Sequence, residues 1–235
     1  AASDPATYKQ QLTQAGNKVS AMMAQMGINS SWLTIAQYVG LAKQVQMGTL
    51  TDQDLRTQLA GYFARGTGKY GQYYKQGYAT GEAGTYDNQL REMYANYGQT
   101  PQPGVIAAQV RNLLSGSAKL DQYTEQAKMA AKATYAPFAQ QIDQGMTVKD
   151  LAQPYIQSMS NILELDPSSI NTNDRLVRAA MQGTGATAKG QPPTATPIWQ
   201  FEQQLRADPR WQYTVNAHNT TASILHTLGQ DWGFA

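Results

Sequence analysis

The sequence predicts an all-α protein built of stacked helical hairpins, and three observations carry that expectation. Apolar residues recur at three- and four-residue steps in one segment after another. Glycine followed closely by Ser, Thr, Asn or Asp punctuates those segments where helices would stop and restart. No run alternates apolar and polar residues between turns, so a sheet is not expected beyond a short hairpin in a loop.

The first helix spans 8–26, with Leu12, Ala15, Val19, Met22, Met23 and Met26 on one side and Gly27 placed to end it. Ser3 or Asp4 serves as its cap, with Pro5 in its first turn. Asn29-Ser30-Ser31 offers caps for a second helix over 32–47, which Gly48 stops. Thr49 or Thr51 caps a third helix carrying Leu55, Leu59, Tyr62 and Phe63, with Asp52 and Asp54 near its positive end. Residues 65–85 hold six glycines among Tyr70, Tyr73, Tyr74 and Tyr78 and read as a loop, because each helical Gly costs about 1 kcal/mol relative to Ala.

Beyond this tract the opening arrangement recurs. Leu90 to Gly98 echoes Ser20 to Gly27, and Gly116-Ser117 stands where Gly48-Thr49 stood. The pattern is either a degenerate internal repeat or two unrelated hairpins with ordinary Gly caps. Helices are expected over 105–115, 120–135 and, after Pro137, to residue 144. Thr147 caps a helix over 148–163, in which Pro154 falls near the start or makes a kink. A turn-rich link leads to a helix over 174–182, and 183–196 forms a second flexible loop. Pro197 opens a helix with Ile198, Phe201 and Leu205, and Asp208-Pro209 breaks it. Trp211 begins the last helix, whose apolar side holds Val215, Ala222, Leu225 and Leu228. The two terminal helices are expected to cover each other's apolar sides. The resulting division is a three-helix unit over 1–64, the Gly/Tyr loop over 65–85, a second helical unit over 86–183, a flexible loop over 184–196 and a C-terminal hairpin over 197–235.

Charged residues make up only 14% of the 235, against roughly 25% in ordinary soluble domains. Glutamine, at 29 residues, fills much of the gap. Neutral amides desolvate at less cost than ionised groups, which suits a surface packed against other proteins. A net charge of +2, with the 18 basic residues scattered, gives no field for specific nucleic-acid binding. No apolar stretch approaches the ~20 residues of a membrane span. The opening Ala1-Ala2-Ser3-Asp4-Pro5 lacks a signal-peptide pattern and fits either a trimmed initiator Met or cleavage from a longer precursor. The absence of Cys removes disulfides, thiolate metal sites and cysteine nucleophiles.

Catalytic constellations do not assemble in the sequence. His218 and His226 are eight residues apart, about 80° around a helix, where a helical zinc motif wants four. No nucleophile elbow is present, and Gly66-Thr67-Gly68-Lys69-Tyr70 has neither the spacing nor the following Ser/Thr of a phosphate loop. The five glutamates, Glu82, Glu92, Glu125, Glu164 and Glu202, lack the paired setting of a glycosidase. No enzyme activity, cofactor or metal is therefore expected. The side chains expected to touch partners are Tyr70, Tyr73, Tyr74 and Tyr78 in the first loop and Trp199, Phe201, Trp211, Trp232 and Phe234 near the end. The terminal aromatics form either the core of the last hairpin or an anchor into a partner, since Trp and Tyr dominate interface hot spots.

Several longer segments add a resemblance. Tyr86-Asp87-Asn88-Gln89-Leu90-Arg91, the stretch from Ile142 through Gly145-Met146-Thr147-Val148 to Tyr155, and Leu163-Glu164-Leu165-Asp166-Pro167-Ser168-Ser169-Ile170 are three of them. Trp199-Gln200-Phe201-Glu202, Arg206-Ala207-Asp208-Pro209-Arg210-Trp211, Asn216-Ala217 and Trp232-Gly233-Phe234 follow in order. Together they resemble helical virion-associated proteins, minor tail or internal structural proteins, of tailed bacteriophages of actinobacteria. The resemblance implies a non-enzymatic virion protein of the tail, neck or head interior, assembled in the host cytoplasm. It would act through contacts with other virion proteins in several copies per particle. Two alternatives remain: an internal protein ejected with the genome, which alone would bring membrane contact, and a peptidoglycan-degrading virion enzyme.

Overall fold

A computed structural model describes residues 4–63, 79–183 and 193–231. They form eleven α-helices joined by turns and short 3-10 segments, with no strand among the described residues. The expected all-α class is the observed one. The chain divides into two compact units, 1–94 with 100–125 and 95–99 with 126–235, so the division cuts across the expected 86–183 segment.

In the first unit, α1 (Pro5–Met26) starts as its sequence dictates. Asp4 accepts from the Ala6 amide, and Pro5, which has no N–H to lose, takes the first helical position. Its buried side carries Ala15, Val19, Met23 and Met26. At its end Gly27 is left-handed, with φ 74°, and a Cβ there would lie 1.8 Å from the Thr80 carbonyl oxygen. Only glycine satisfies both conditions.

The second helix begins later than its sequence suggested. Asn29 caps only a 3-10 turn over Ser30–Trp32. Thr34 then caps α2 (Ile35–Gln46) through a reciprocal capping box with Gln37. The Tyr38 hydroxyl donates to the Gly16 carbonyl at 2.7 Å and lies 2.7 Å from Ser20 Oγ, while Gln46 Nε2 reaches the Tyr8 carbonyl. These pairs show α2 running back along α1 as an antiparallel hairpin. The helix α3 (Asp52–Ala60) opens on the Thr51–Asp54 capping box, and Phe63 beyond it is fully buried edge-on to Trp32 at 5.5 Å.

The helix α4 (Gly81–Asn96) starts inside the tract expected to be loop to residue 85, and residues 64–78 lie outside the described residues. Gly81 supplies the reason. Its φ is 56°, and a Cβ would stand 2.5 Å from the Gln25 carbonyl oxygen, so the position where α4 starts against the end of α1 admits only glycine. The helix α5 (Pro103–Ser115) lies on α3. Arg56 Nε donates to the Leu114 carbonyl at 2.7 Å and Gln53 Nε2 to Ser115 at 2.8 Å, which satisfies carbonyls that the end of α5 would leave orphaned. Glu82 in turn pairs with Arg56.

The main part of the second unit starts inside α6 (Leu120–Thr134), whose Ala127 and Ala131 are buried. A 3-10 turn at Ala136–Phe138 and α7 (Ala139–Asp143) follow, where one helix after Pro137 was expected. The helix α8 (Val148–Leu163) starts at the Thr147–Asp150 capping box and keeps Pro154 within it as an internal residue. Next come α9 (Arg175–Gln182), capped by Asp174, and α10 (Ile198–Arg206), both packed on α8. The chain ends in α11 (Val215–Asp231) after a 3-10 turn over Trp211–Tyr213.

Left-handed glycines stand at 27, 48, 98 and 116, the pairs that suggested a repeat, but also at 145. The conformation thus belongs to helix ends generally and does not mark a repeat.

Candidate functional site

Nine aromatic side chains were expected to meet partners. Of these, Tyr70, Tyr73, Tyr74, Tyr78, Trp232 and Phe234 lie outside the described residues. The other three take different positions. Phe201 is fully buried, Trp211 is half-buried and Trp199 is 63% exposed. Trp199 and Phe201 are two positions apart, which on a helix places them on opposite sides.

Phe201 is held by three elements. Its ring meets Tyr155 of α8 edge-on at 5.4 Å, with Leu205 one turn further along α10, also fully buried. The Tyr155 hydroxyl donates to the Thr196 carbonyl at 2.8 Å, and the Thr196 amide donates to Ala180 of α9 at 2.8 Å. Burial pushes the Tyr155 phenol above its ordinary range, so it stays a donor. Ser158 Oγ donates to Glu202 at 3.2 Å on the same α8–α10 seam. The aromatic segment is therefore fastened to α8. The expected pairing of the two terminal helices over each other's apolar sides does not form.

The last helix is held at its first turn. Glu164, the only non-glycine with positive φ among the described residues (52°), sits at the end of α8. Its carboxylate accepts from the amides of Val215 at 2.8 Å and Asn216 at 2.9 Å. Thr214 Oγ1 accepts from the Ala217 amide at 3.1 Å. A carboxylate at a helix N-terminus meets unpaired N–H groups and the positive end of the dipole. Nothing in the sequence marks a cap supplied from 51 residues away. Trp211, expected to begin this helix, lies instead in the preceding 3-10 turn. A shallow cleft of about 310 Å³ lies between Leu163, Glu164 and Leu165 on one side and Arg210, Tyr213 and Thr214 on the other. Arg210 is committed to Asp208 by two side-chain bonds, at 2.8 and 3.2 Å.

Past Ala217, which is 4% exposed, every residue from His218 to Leu228 is exposed. Ile224, Leu225 and Leu228 stand 55%, 64% and 42% in solvent, with Val215 and Tyr213 near the same end. Sequence reading placed Val215, Ala222, Leu225 and Leu228 on the helix's apolar side but expected that side to be covered.

Titratable groups are dispersed. No three His, Asp or Glu residues converge on a potential metal position among the described residues. The resolved carboxyl shifts all run downward: at Asp54, Asp150 and Asp166 from local hydroxyl and amide donors, and at Asp208 from Arg210. A general acid needs the opposite shift. Glu164 and Glu202 are engaged as cap and seam acceptor, and Glu82 pairs with Arg56. A groove on the first unit, lined by Leu12, Thr13, Gly16, Tyr38, Val39 and Ala42, is a seam between α1 and α2. No helix among the described residues is long and apolar enough to cross a membrane.

No protein-family model, curated protein sequence or solved structure matches the chain.

Proposed function

We propose that this chain is a non-enzymatic structural protein of a tailed-bacteriophage virion, held in the tail, neck or head interior by contacts with other virion proteins. The observation that carries the protein-contact part is the number of large apolar side chains exposed on the second unit, among them Trp199, Tyr213, Ile224, Leu225 and Leu228. Large apolar groups grouped on a surface of low charge density suit docking against protein. The virion context rests on the resemblance of the segments between Tyr86 and Phe234. The scattered, mostly structural carboxylates favour a non-enzymatic role.

A tagged chain expressed during infection by the phage that encodes it should co-purify with intact particles through a density gradient. Its absence from particles, with normal particle yield, would sink the reading. A second reading, an internal protein ejected with the genome, is favoured by α11, which has no Asp, Glu, Lys or Arg from Val215 to Gln230. Acid-induced dye binding together with association to lipid vesicles would support ejection over a fixed position in the particle. A clearing zone on a host-peptidoglycan zymogram would replace both with the enzyme alternative.

A further inference from the structure

Glu164 ends one helix and starts another. Its backbone N–H donates to the Ser160 carbonyl and closes α8 in the left-handed conformation, a position that suits glycine and strains a glutamate. Its carboxylate accepts from the amides of Val215 and Asn216, the first two residues of α11. The strained residue is thus the one whose side chain the last helix uses. Glycine would relieve the backbone at the end of α8 and leave α11 without that acceptor.

Past its first turn α11 makes no hydrogen bond to another element among the described residues. Thr214 and Ala217 are buried, and every residue from His218 to Leu228 is exposed. The hydroxyls of Thr220, Thr221 and Thr227 donate to the helix's own carbonyls at Asn216, Ala217 and Ser223. No pair of opposite charges braces the helix from Val215 to Gln230, and Asn219, Thr220, Thr221, Ser223 and Thr227 are poor helix formers. Nucleation is the costly step in making a helix, and a helix of this length is marginal alone. With the first turn fixed, the remainder can propagate from it. With that turn free, the remainder has neither nucleus nor packing.

From these observations we infer that Glu164 is a latch and α11 a hinged arm, which opens as one unit while α8, α9 and α10 stay folded. Thr214, extended between the 3-10 turn and α11, is the hinge. The bonds that tie α8, α9 and α10 together do not involve the arm. They are the Tyr155–Phe201 ring contact, the Tyr155 hydroxyl on the Thr196 carbonyl and the Thr196 amide on Ala180. Opening of this kind belongs to the purified chain, whether or not a virion carries it.

The test is hydrogen exchange resolved at single amides on the full chain, in the wild type and in Glu164→Gly and Glu164→Gln. In the wild type, the amides from Asn219 to Leu228 should share one protection, above that of an unfolded peptide and below that of α8 and α10. Glu164→Gly should lower this shared protection about fivefold, the equivalent of a lost helix cap. It should leave the protection of α8 and the melting temperature no lower than in the wild type, since glycine suits the end of α8. Glu164→Gln, which keeps one acceptor and the strained backbone, should give an arm protection between the two. Loss confined to Val215 and Asn216 in the Gly variant overturns the inference. A wild-type α11 that is unprotected, or as protected as α8, does so too. A Gly variant in which α8 loses protection along with α11 also overturns it, because Glu164 would then act on its own helix.

Discussion

Two neighbouring residues of α10 are set for opposite fates. Phe201 is fully buried against Tyr155, whose hydroxyl is tied to the Thr196 carbonyl, while Trp199 stands in solvent. Truncating a buried Phe to Ala removes its transfer free energy and leaves a cavity, at about 3–5 kcal/mol. Phe201→Ala should lower the melting temperature sharply, whereas Trp199→Ala should stay within about 0.5 kcal/mol of wild type. Equal melting temperatures would mean the two aromatics do not divide in this way. Sequence alone did not separate them, because a nine-residue helix with aromatics at its second and fourth positions fits either side inward. Tertiary contact with α8 decides. Glu164 is the other residue with a distinct role. Its left-handed backbone is a conformation that favours glycine, and its carboxylate holds α11. Glu164→Ala should remove the cap at a cost of about 1 kcal/mol, by analogy with N-cap losses, and abolish hydrogen-exchange protection at Val215 and Asn216. Glu164→Gln, which keeps one acceptor, should retain part of that protection. Protection unchanged in the Ala variant would deny Glu164 the role.

Among elements, those with local start signals were the legible ones. The cap at Thr147 stands where the sequence places it, and Asp4 and Thr51 are each one of the two caps their sequences offer, because a cap needs only residues two or three positions away. Even the misplaced start of α2 carried its signal in Thr34-Ile35-Ala36-Gln37, a capping-box pattern passed over in favour of Asn29. The start of α4 is not legible, since the left-handed conformation of Gly81 and its approach to the end of α1 are tertiary features. The exposure of α11 was not legible either: periodicity gives the direction of an apolar side but not whether the chain supplies its cover. The Thr–Asp boxes make a pH prediction. Asp150 accepts from the Thr147 hydroxyl at 2.7 Å and the Thr147 amide at 3.2 Å, and these bonds hold its carboxyl below the ordinary 3.8. A carboxyl depressed on folding contributes stability that is complete above its unfolded value and disappears as pH falls through the folded one. The stability of α8 should therefore be level near neutrality and decline below the ordinary carboxylate value. Thr147→Ala should cost about 1 kcal/mol near neutrality and flatten the acid decline. Denaturant titrations at neutral and acidic pH measure both. An equally steep acid decline in the variant would remove Asp150 as its cause.

At the scale of the whole molecule, the boundary between compact units does not follow the order of the chain. Residues 95–99, the end of α4 and the turn after it, belong with 126–235. The reason is visible within that second unit. Tyr97 is 7% exposed, and Gln99 Nε2 donates to the Ala127 carbonyl at 2.7 Å. Gly98 is left-handed at φ 65°, and a Cβ there would lie 2.8 Å from the Tyr135 hydroxyl and 3.1 Å from Val148 Cγ1. Tyr135 is fully buried, its phenol is pushed above the ordinary range by desolvation, and its hydroxyl has no hydrogen-bond partner among the described residues. A buried hydroxyl without a partner costs free energy, and the missing side chain of Gly98 is what leaves room for it. Two consequences can be measured. A fragment of residues 126–235 lacks residues 95–125, this five-residue piece among them, and should unfold at lower denaturant than a fragment of residues 95–235. In the full chain, Gly98→Ala meets both the backbone penalty of a non-glycine at positive φ, roughly 1 kcal/mol, and the crowding against Tyr135. Gly98→Ala/Tyr135→Phe removes the crowded hydroxyl and should recover the steric part but not the backbone part. The double variant should therefore fall between wild type and the single variant in melting temperature. No recovery at all would show that Gly98 is required for its backbone conformation alone, and equal stability of the two fragments would show that residues 95–99 add nothing to the second unit.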